Sequence, residues 1–180
     1  RRRLGRTDLN VSVLSFGGSS LGSVFTEVSA QDATAAVCAA LRAGINYFDT
    51  APFYGLGKAE RALGDALRAS GVPREQYYVA TKVGRYGEHE FDFSAERTER
   101  SVAESCARLG VDYLDVVQCH DIEFAAGGAE QIVSETLPAL RRLQRAGVVR
   151  HVGITGLPLS IYEPVVERLL GGDGGGGGGG

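Results

Sequence analysis

Leu114-Asp115-Val116-Val117-Gln118-Cys119-His120 reads as a β-strand that ends on an ionisable residue. Three other apparent strands end the same way: Ile45-Asn46-Tyr47-Phe48-Asp49, Tyr77-Tyr78-Val79-Ala80-Thr81-Lys82 and Val149-Arg150-His151-Val152-Gly153-Ile154-Thr155. If these strands run parallel and close into a barrel, their C-terminal ends share one face, where such barrels keep their active sites. Asp49, Lys82, His120 and Thr155 are then expected to converge on one pocket.

Between the strands lie amphipathic helical patterns, and strand-helix alternation argues for parallel βα units. A first helix is expected from Ala30 to Ala43, opened by a capping box of Ser29 and Asp32 and stopped by Gly44. A second carries Ala59, Ala62, Leu63, Ala66 and Leu67 and ends before Gly71-Val72-Pro73. Ser94 caps a third, with Val102, Cys106 and Leu109 on its apolar face and Gly110 as its terminator. Val133, Leu137, Leu140 and Leu143 mark a fourth that stops near Gly147. Pro158 opens a last one, reaching about Leu169, with Pro164 restricting its start. Ahead of these units, Leu4 to Val13 reads as a hairpin capping the barrel floor, and Val13 to Phe16 as the first barrel strand, ending in Gly17-Gly18-Ser19-Ser20. Five strands are counted where a complete barrel of this kind has eight. Residues 1–170 are therefore read as the N-terminal part of a barrel, and residues 171–180, almost all glycine, as a flexible tail or linker. An open sheet edge after Thr155 is expected to be prone to association.

Composition narrows the function. The 180 residues are 43% hydrophobic and 23% charged, which is ordinary for a globular protein, and the net charge of −3 gives no reason to expect a nucleic-acid partner. Arg1-Arg2-Arg3 is too short a basic run to alter that. The sequence contains no apolar run of membrane-spanning length and no signal-peptide pattern, so a cytoplasmic protein without a membrane partner is expected. The chain opens on Arg1 in place of Met, which suggests that residues before it have been removed. Cys38, Cys106 and Cys119 are widely spaced within apolar segments; buried, unpaired thiols in a reducing compartment are expected. His89, His120 and His151 show no ligand spacing, so no metal site is expected.

The chemistry lies in Asp49-Thr50-Ala51-Pro52-Phe53-Tyr54-Gly55. A phenol of ordinary pKa, about 10, carries protons poorly at neutral pH unless an adjacent ammonium favours its ionised form. Lys82, at the end of the next strand, is the candidate ammonium. Asp49 is placed to orient Lys82, and His120 to hydrogen-bond a substrate oxygen. Singly, each has a duller reading: a turn cap, a loop aromatic, a solvated strand end, a core histidine. Together, at the same end of successive strands, they form a proton-transfer site for redox at a C–O centre. The sequence carries neither a Ser-His-Asp order, nor a P-loop, nor a Gly-x-Gly-x-x-Gly fingerprint.

These residues carry a resemblance. Leu4-Gly5-Arg6-Thr7-Asp8-Leu9-Asn10-Val11-Ser12, Asp49 to Gly55, Ala80-Thr81-Lys82, His120 and Gly153-Ile154-Thr155-Gly156 are similar to the aldo-keto reductase family. Within it, Gly84-Arg85-Tyr86, Phe91 to Arg97 and His120-Asp121-Ile122-Glu123-Phe124 resemble the L-galactose dehydrogenase branch of plants and green algae. The resemblance implies a (β/α)8 TIM barrel, of which about five βα units are present, with Tyr54 as acid/base, Lys82 and Asp49 tuning it, and His120 orienting the substrate. It implies a nicotinamide cofactor, NAD with NADP as the alternative, contacted by Gly18, Ser19, Asp49, Thr155 and Gly156. The implied reaction oxidises L-galactose to its lactone for ascorbate synthesis. Thr155 and Gly156 stand where the family usually has serine and asparagine, a change that the galactose-type members share. No residue matches the later segments that hold the pyrophosphate and adenosine. Other aldose dehydrogenases, general carbonyl reductases, a cofactor-sensing binding subunit and a non-catalytic fragment are the alternative readings.

Overall fold

The structure is a computed structural model and describes residues 1–171. The expected tail lies, beyond Gly171, outside the described residues.

The chain opens with a hairpin in which β1 (Arg2–Arg3) pairs antiparallel with β2 (Asn10–Val11). Leu9, fully buried, packs with Ala80 and Val116, and Val11, Tyr47 and Tyr78 gather around them. The hairpin thus closes the barrel floor, as its turn-forming residues suggested. Above it stands a parallel sheet of β3 (Phe16–Gly17), β4 (Tyr47–Asp49), β5 (Tyr78–Val83), β6 (Leu114–Cys119) and β7 (Val149–Ile154), hydrogen-bonded in chain order. Helices intervene: α1 (Ala30–Arg42), α2 (Lys58–Ser70), α3 (Ala95–Leu109), α4 (Gly128–Gln131), α5 (Leu137–Arg145) and α6 (Tyr162–Gly171). The sheet and its helices are a partial (β/α)8 barrel.

Strand alternation sorts the side chains onto two faces. Phe48, Val79, Val117 and Cys119 join Val37, Leu63, Val102 and Leu140 in one large cluster between sheet and helices. Burying a side chain of that size contributes about 1.5–3 kcal/mol, so the outer face supplies most of the apolar stabilisation. The residues between them in sequence face inward, toward the barrel axis. The register brings Asp49 opposite Ala80 and Lys82 opposite Gln118.

The helix ends follow local chemistry. Ser29 Oγ accepts from the Asp32 amide at 3.1 Å, the expected cap of α1. Ser94 Oγ accepts from the Arg97 amide at 3.3 Å at the start of α3, and Gly110 closes that helix with φ 68°.

Elsewhere the boundaries move. The first barrel strand is Phe16–Gly17, not Val13 to Phe16, and Val13 and Leu14 are 70% and 71% exposed. Ser12 is the reason: its amide donates to Asn46 Oδ1 at 2.6 Å and its hydroxyl to the Leu14 carbonyl, which folds the segment away from the sheet. The same Asn46 side chain reaches the Asn10 carbonyl at 3.1 Å, so β4 begins at Tyr47 and not at Ile45. The expected fourth helix is broken into α4 and α5 by a π turn at Ile132–Thr136. Within it Ile132 is fully buried and Val133 only half-buried, so Ile132 replaces Val133 on the core face. Thr136, also buried, donates to the Phe93 carbonyl at 2.5 Å. Pro158 precedes a 3-10 turn at Leu159–Ile161, and α6 starts only at Tyr162. Pro164 falls in its first turn, where a missing N–H costs little.

Cys119 is buried, and burial pushes its thiol up to about 12. Cys38 and Cys106 are half-buried and not fully buried as expected. Among the described residues no helix is long and apolar enough to cross a membrane.

Candidate active site

Asp49 is delivered by the end of β4, Lys82 by β5, and His120 by the residue that follows β6. The ladder continues past the strand ends: the His120 amide donates to the Val83 carbonyl at 2.8 Å and the Thr155 amide to the Cys119 carbonyl at 2.9 Å. Tyr54 lies on the loop between β4 and α2. That loop packs closely on the loop after β3, because a Cβ at Gly22 would stand 2.6 Å from the Tyr54 carbonyl oxygen. Gly55, next to Tyr54, has φ 61°, a conformation that L side chains rarely adopt. The glycines therefore fix where Tyr54 sits.

Four expected residues come together. Lys82 Nζ donates to Asp49 Oδ1 at 2.5 Å and to the Thr50 carbonyl at 2.9 Å. The same ammonium lies 4.8 Å from the centre of the Tyr54 ring. Tyr54 meets His120 edge-on, with ring centres 5.9 Å apart and planes at 90°. Phe53 packs on the same imidazole at 6.2 Å. Among the described residues the Tyr54 hydroxyl has no protein hydrogen-bond partner, and the buried His120 Nδ1 has none either.

His120 is neutral near neutral pH. Burial, with help from the positive charges of Lys82 and Arg85, lowers its pKa from 6.5 to about 4, against the opposing pull of Asp121. The 3.7 Å between His120 Nε2 and Asp121 Oδ2 is therefore no ion pair. Asp121 turns its carboxylate to Arg85, 2.6 Å from Nη1.

The other expected residues stand on the rim. Thr155 is held by its backbone at the end of β7, its carbonyl accepting from the Ile122 amide at 3.1 Å. Gly18 is buried, its amide donates to the Asp49 carbonyl at 2.7 Å, and a Cβ there would stand 2.8 Å from that oxygen. Ser19 opens the 3-10 turn at Ser19–Gly22. A Cβ at Gly156 would meet the ends of the Glu123 and Ile161 side chains, which would have to give way.

Three participants were not anticipated from the sequence. Gln118 Nε2 donates to Asp49 Oδ2 at 3.2 Å, and its place two residues before His120 on β6 was the available signal. Arg85 and Asp121 lie in segments that carry the family resemblance, but 36 residues apart in the chain their pairing had no local signal. A cleft of about 420 Å³ lies at the floor end between the C-termini of α2 and α3, lined by Arg68, Tyr77, Gly110 and Tyr113 among others. It is remote from the four converging groups. No cluster of three or more His, Cys, Asp or Glu residues suited to a metal ion occurs among the described residues.

The arrangement is one for moving a proton at a carbon-bound oxygen: a phenol with a free hydroxyl, a buried cation beside its ring, a carboxylate holding that cation, and a neutral imidazole with an unused nitrogen. A model of the aldo/keto reductase family matches residues 13–170. The chain is 54% identical over 171 residues to the L-galactose dehydrogenase of Arabidopsis thaliana, covering 95% of this chain and 53% of that protein. It is 38% identical over 157 residues to the D-arabinose 1-dehydrogenase of Saccharomyces cerevisiae, covering 84% and 44%. Among solved structures, the holo form of an aldo-keto reductase from Bacillus halodurans superposes with a TM-score of 0.78 at 32% identity, over 93% of this chain and 53% of that one. A glycerol dehydrogenase from Gluconobacter oxydans gives a TM-score of 0.71 at 25% identity, over 92% and 51%. The chain spans about half the length of the curated relatives it matches. It belongs to the aldo/keto reductase family.

Proposed function

We propose that the protein is a nicotinamide-dependent aldose 1-dehydrogenase whose preferred pair is L-galactose and NAD, with a cytoplasmic place in ascorbate formation. The observation that carries this reading is the Tyr54 hydroxyl, free of protein partners beside the Lys82–Asp49 pair and the neutral His120. The likeness to an enzyme named for L-galactose supports the substrate.

In this reading Tyr54 accepts the proton of the C1 hydroxyl as C1 is oxidised. Tyr54 does so as its phenolate, whose negative charge Lys82 offsets until the proton arrives, and Asp49, steadied by Gln118, keeps the ammonium in place. A neutral imidazole has one donor and one acceptor nitrogen, so His120 orients the substrate oxygen without adding a charge. A nicotinamide, when bound, would supply the hydride acceptor. Ser19, Thr155 and Gly156, with Gly18 behind Asp49, are the residues of this chain that would hold the nicotinamide end.

The test is a steady-state survey of the full-length protein with a panel of aldoses and both nicotinamides, followed by absorbance of the reduced cofactor. L-galactose with NAD is expected to give the highest kcat/KM. Faster oxidation of D-arabinose favours the second aldose reading, which the likeness to the yeast enzyme supports. Faster reduction of simple aldehydes with NADPH favours a general carbonyl reductase.

A further inference from the structure

Beyond His120 the rim carries an ion pair that proton transfer does not use. Val83 on β5 is in register with Cys119 on β6, so the chain leaves the two strands side by side. Two residues further on, Arg85 Nη1 meets Asp121 Oδ2 at 2.6 Å, with side chains only 21% and 20% exposed. The guanidinium lies 3.9 Å from the centre of the Phe53 ring and 5.3 Å from that of Phe91. Phe91 in turn stacks on Phe124 at 4.5 Å. An isolated bridge between Arg85 and Phe91 fixes the loop after β5. Asp121 sits in the left-handed region, with φ 54° and ψ 59°, directly after His120. A non-glycine residue held there invites a functional explanation.

The pair is also incomplete. Among the described residues Arg85 Nη2 and Asp121 Oδ1 have no protein partner, and neither is sealed from solvent. An accessible N–H donor next to an accessible carboxylate acceptor complements neighbouring hydroxyl groups, each of which both donates and accepts. Phe53 links this edge to the reacting groups: it is adjacent to Tyr54 in the chain and packs on His120.

We propose that Arg85 and Asp121 bind hydroxyl groups of a polyhydroxylated substrate away from its reacting carbon, and so select an aldose over a simple aldehyde. This rests on the aldose dehydrogenase reading above. A site built to hydrogen-bond a substrate hydroxyl discriminates strongly against an analogue lacking it, because its polar groups are then left unpaired.

The test compares Arg85→Met and Asp121→Asn with the wild type in the full-length protein, using L-galactose oxidation and reduction of 4-nitrobenzaldehyde. Asparagine tolerates the left-handed backbone, and removing the Asp121 charge leaves His120 neutral, since that carboxylate is what opposes the downward shift. The ratio of kcat/KM for the sugar to that for the aldehyde is expected to fall on the order of a hundredfold, carried by the KM for the sugar. Equal losses for both substrates overturn the proposal, because a pair that only orients His120 or holds the loop serves both reactions alike. No loss for either overturns it too. A wild type that reduces the aldehyde but oxidises no aldose removes the aldose reading itself, and this inference with it.

Discussion

Lys82 and Asp49, 33 residues apart, are joined by a 2.5 Å ion pair inside the partial barrel. The contact exists because both side chains face inward from adjacent strands, with Asp49 in register with Ala80, two residues before Lys82. Replacing Lys82 by Met leaves the carboxylate without its cation and Tyr54 without the charge beside its ring. Turnover is expected to fall on the order of a hundredfold or more, measured by single-turnover kinetics in the full-length protein. Retention of near wild-type rate would remove Lys82 from the mechanism.

Tyr54→Phe deletes the proposed proton carrier and keeps the ring, so the edge contact with His120 and the Lys82 contact survive. The expected result is a loss of roughly 10²–10⁴ in turnover with nicotinamide binding nearly intact. Fluorescence titration with reduced cofactor checks the second half. A variant keeping more than about a tenth of the wild-type rate is incompatible with a role of this size.

His120 makes stability depend on pH in a defined direction. Its folded pKa, about 4, lies below the ordinary 6.5. Between those values the unfolded chain holds a proton that the folded chain refuses, so this residue's contribution is intact above about pH 6.5 and is lost as pH falls toward 4. A shift of that size corresponds to about 3 kcal/mol. His120→Gln is expected to flatten this dependence, read as the difference between urea midpoints at about pH 7 and about pH 4.5. Equal acid losses in both proteins would contradict the assignment.

Glu60 is fully buried on α2, where Oε2 accepts from Arg108 Nε at 2.6 Å and Oε1 from the Thr81 hydroxyl at 2.6 Å. The pair ties α2, α3 and β5 together one residue before Lys82. Removing one partner of a buried pair leaves an uncompensated charge and costs about 3–5 kcal/mol. Arg108→Met is expected to fall in that range by urea denaturation. Adding Glu60→Gln should restore part of the loss, since the orphaned charge is then gone. A double variant no more stable than the single one would show that lost packing dominates.

Much of the site was legible because its elements are local. Ser29 with Asp32, and Ser94 before α3, are short-range caps whose partners lie three residues away. Asp49, Lys82 and His120 announced themselves as polar endings of apolar runs, and parallel strands carry such endings to a common rim. The misplaced boundaries share a different cause. Val13 and Leu14 suit a strand, but Ser12 bonds to Asn46, 34 residues on, and bends the chain away. Val133 fits a regular helical face, but the π turn at Ile132–Thr136 rotates Ile132 into the core in its place.

The sequence by itself determined the alternation of strands and helices, the polar strand ends and the tyrosine beside one of them, since these depend on period and on neighbours in the chain. Tertiary structure alone decided that Gln118 joins the Lys82–Asp49 pair, that Arg85 meets Asp121, that Glu60 is matched by Arg108, and that His120 is neutral. Each depends on strand register and on desolvation, which exist only once distant segments have packed and excluded water.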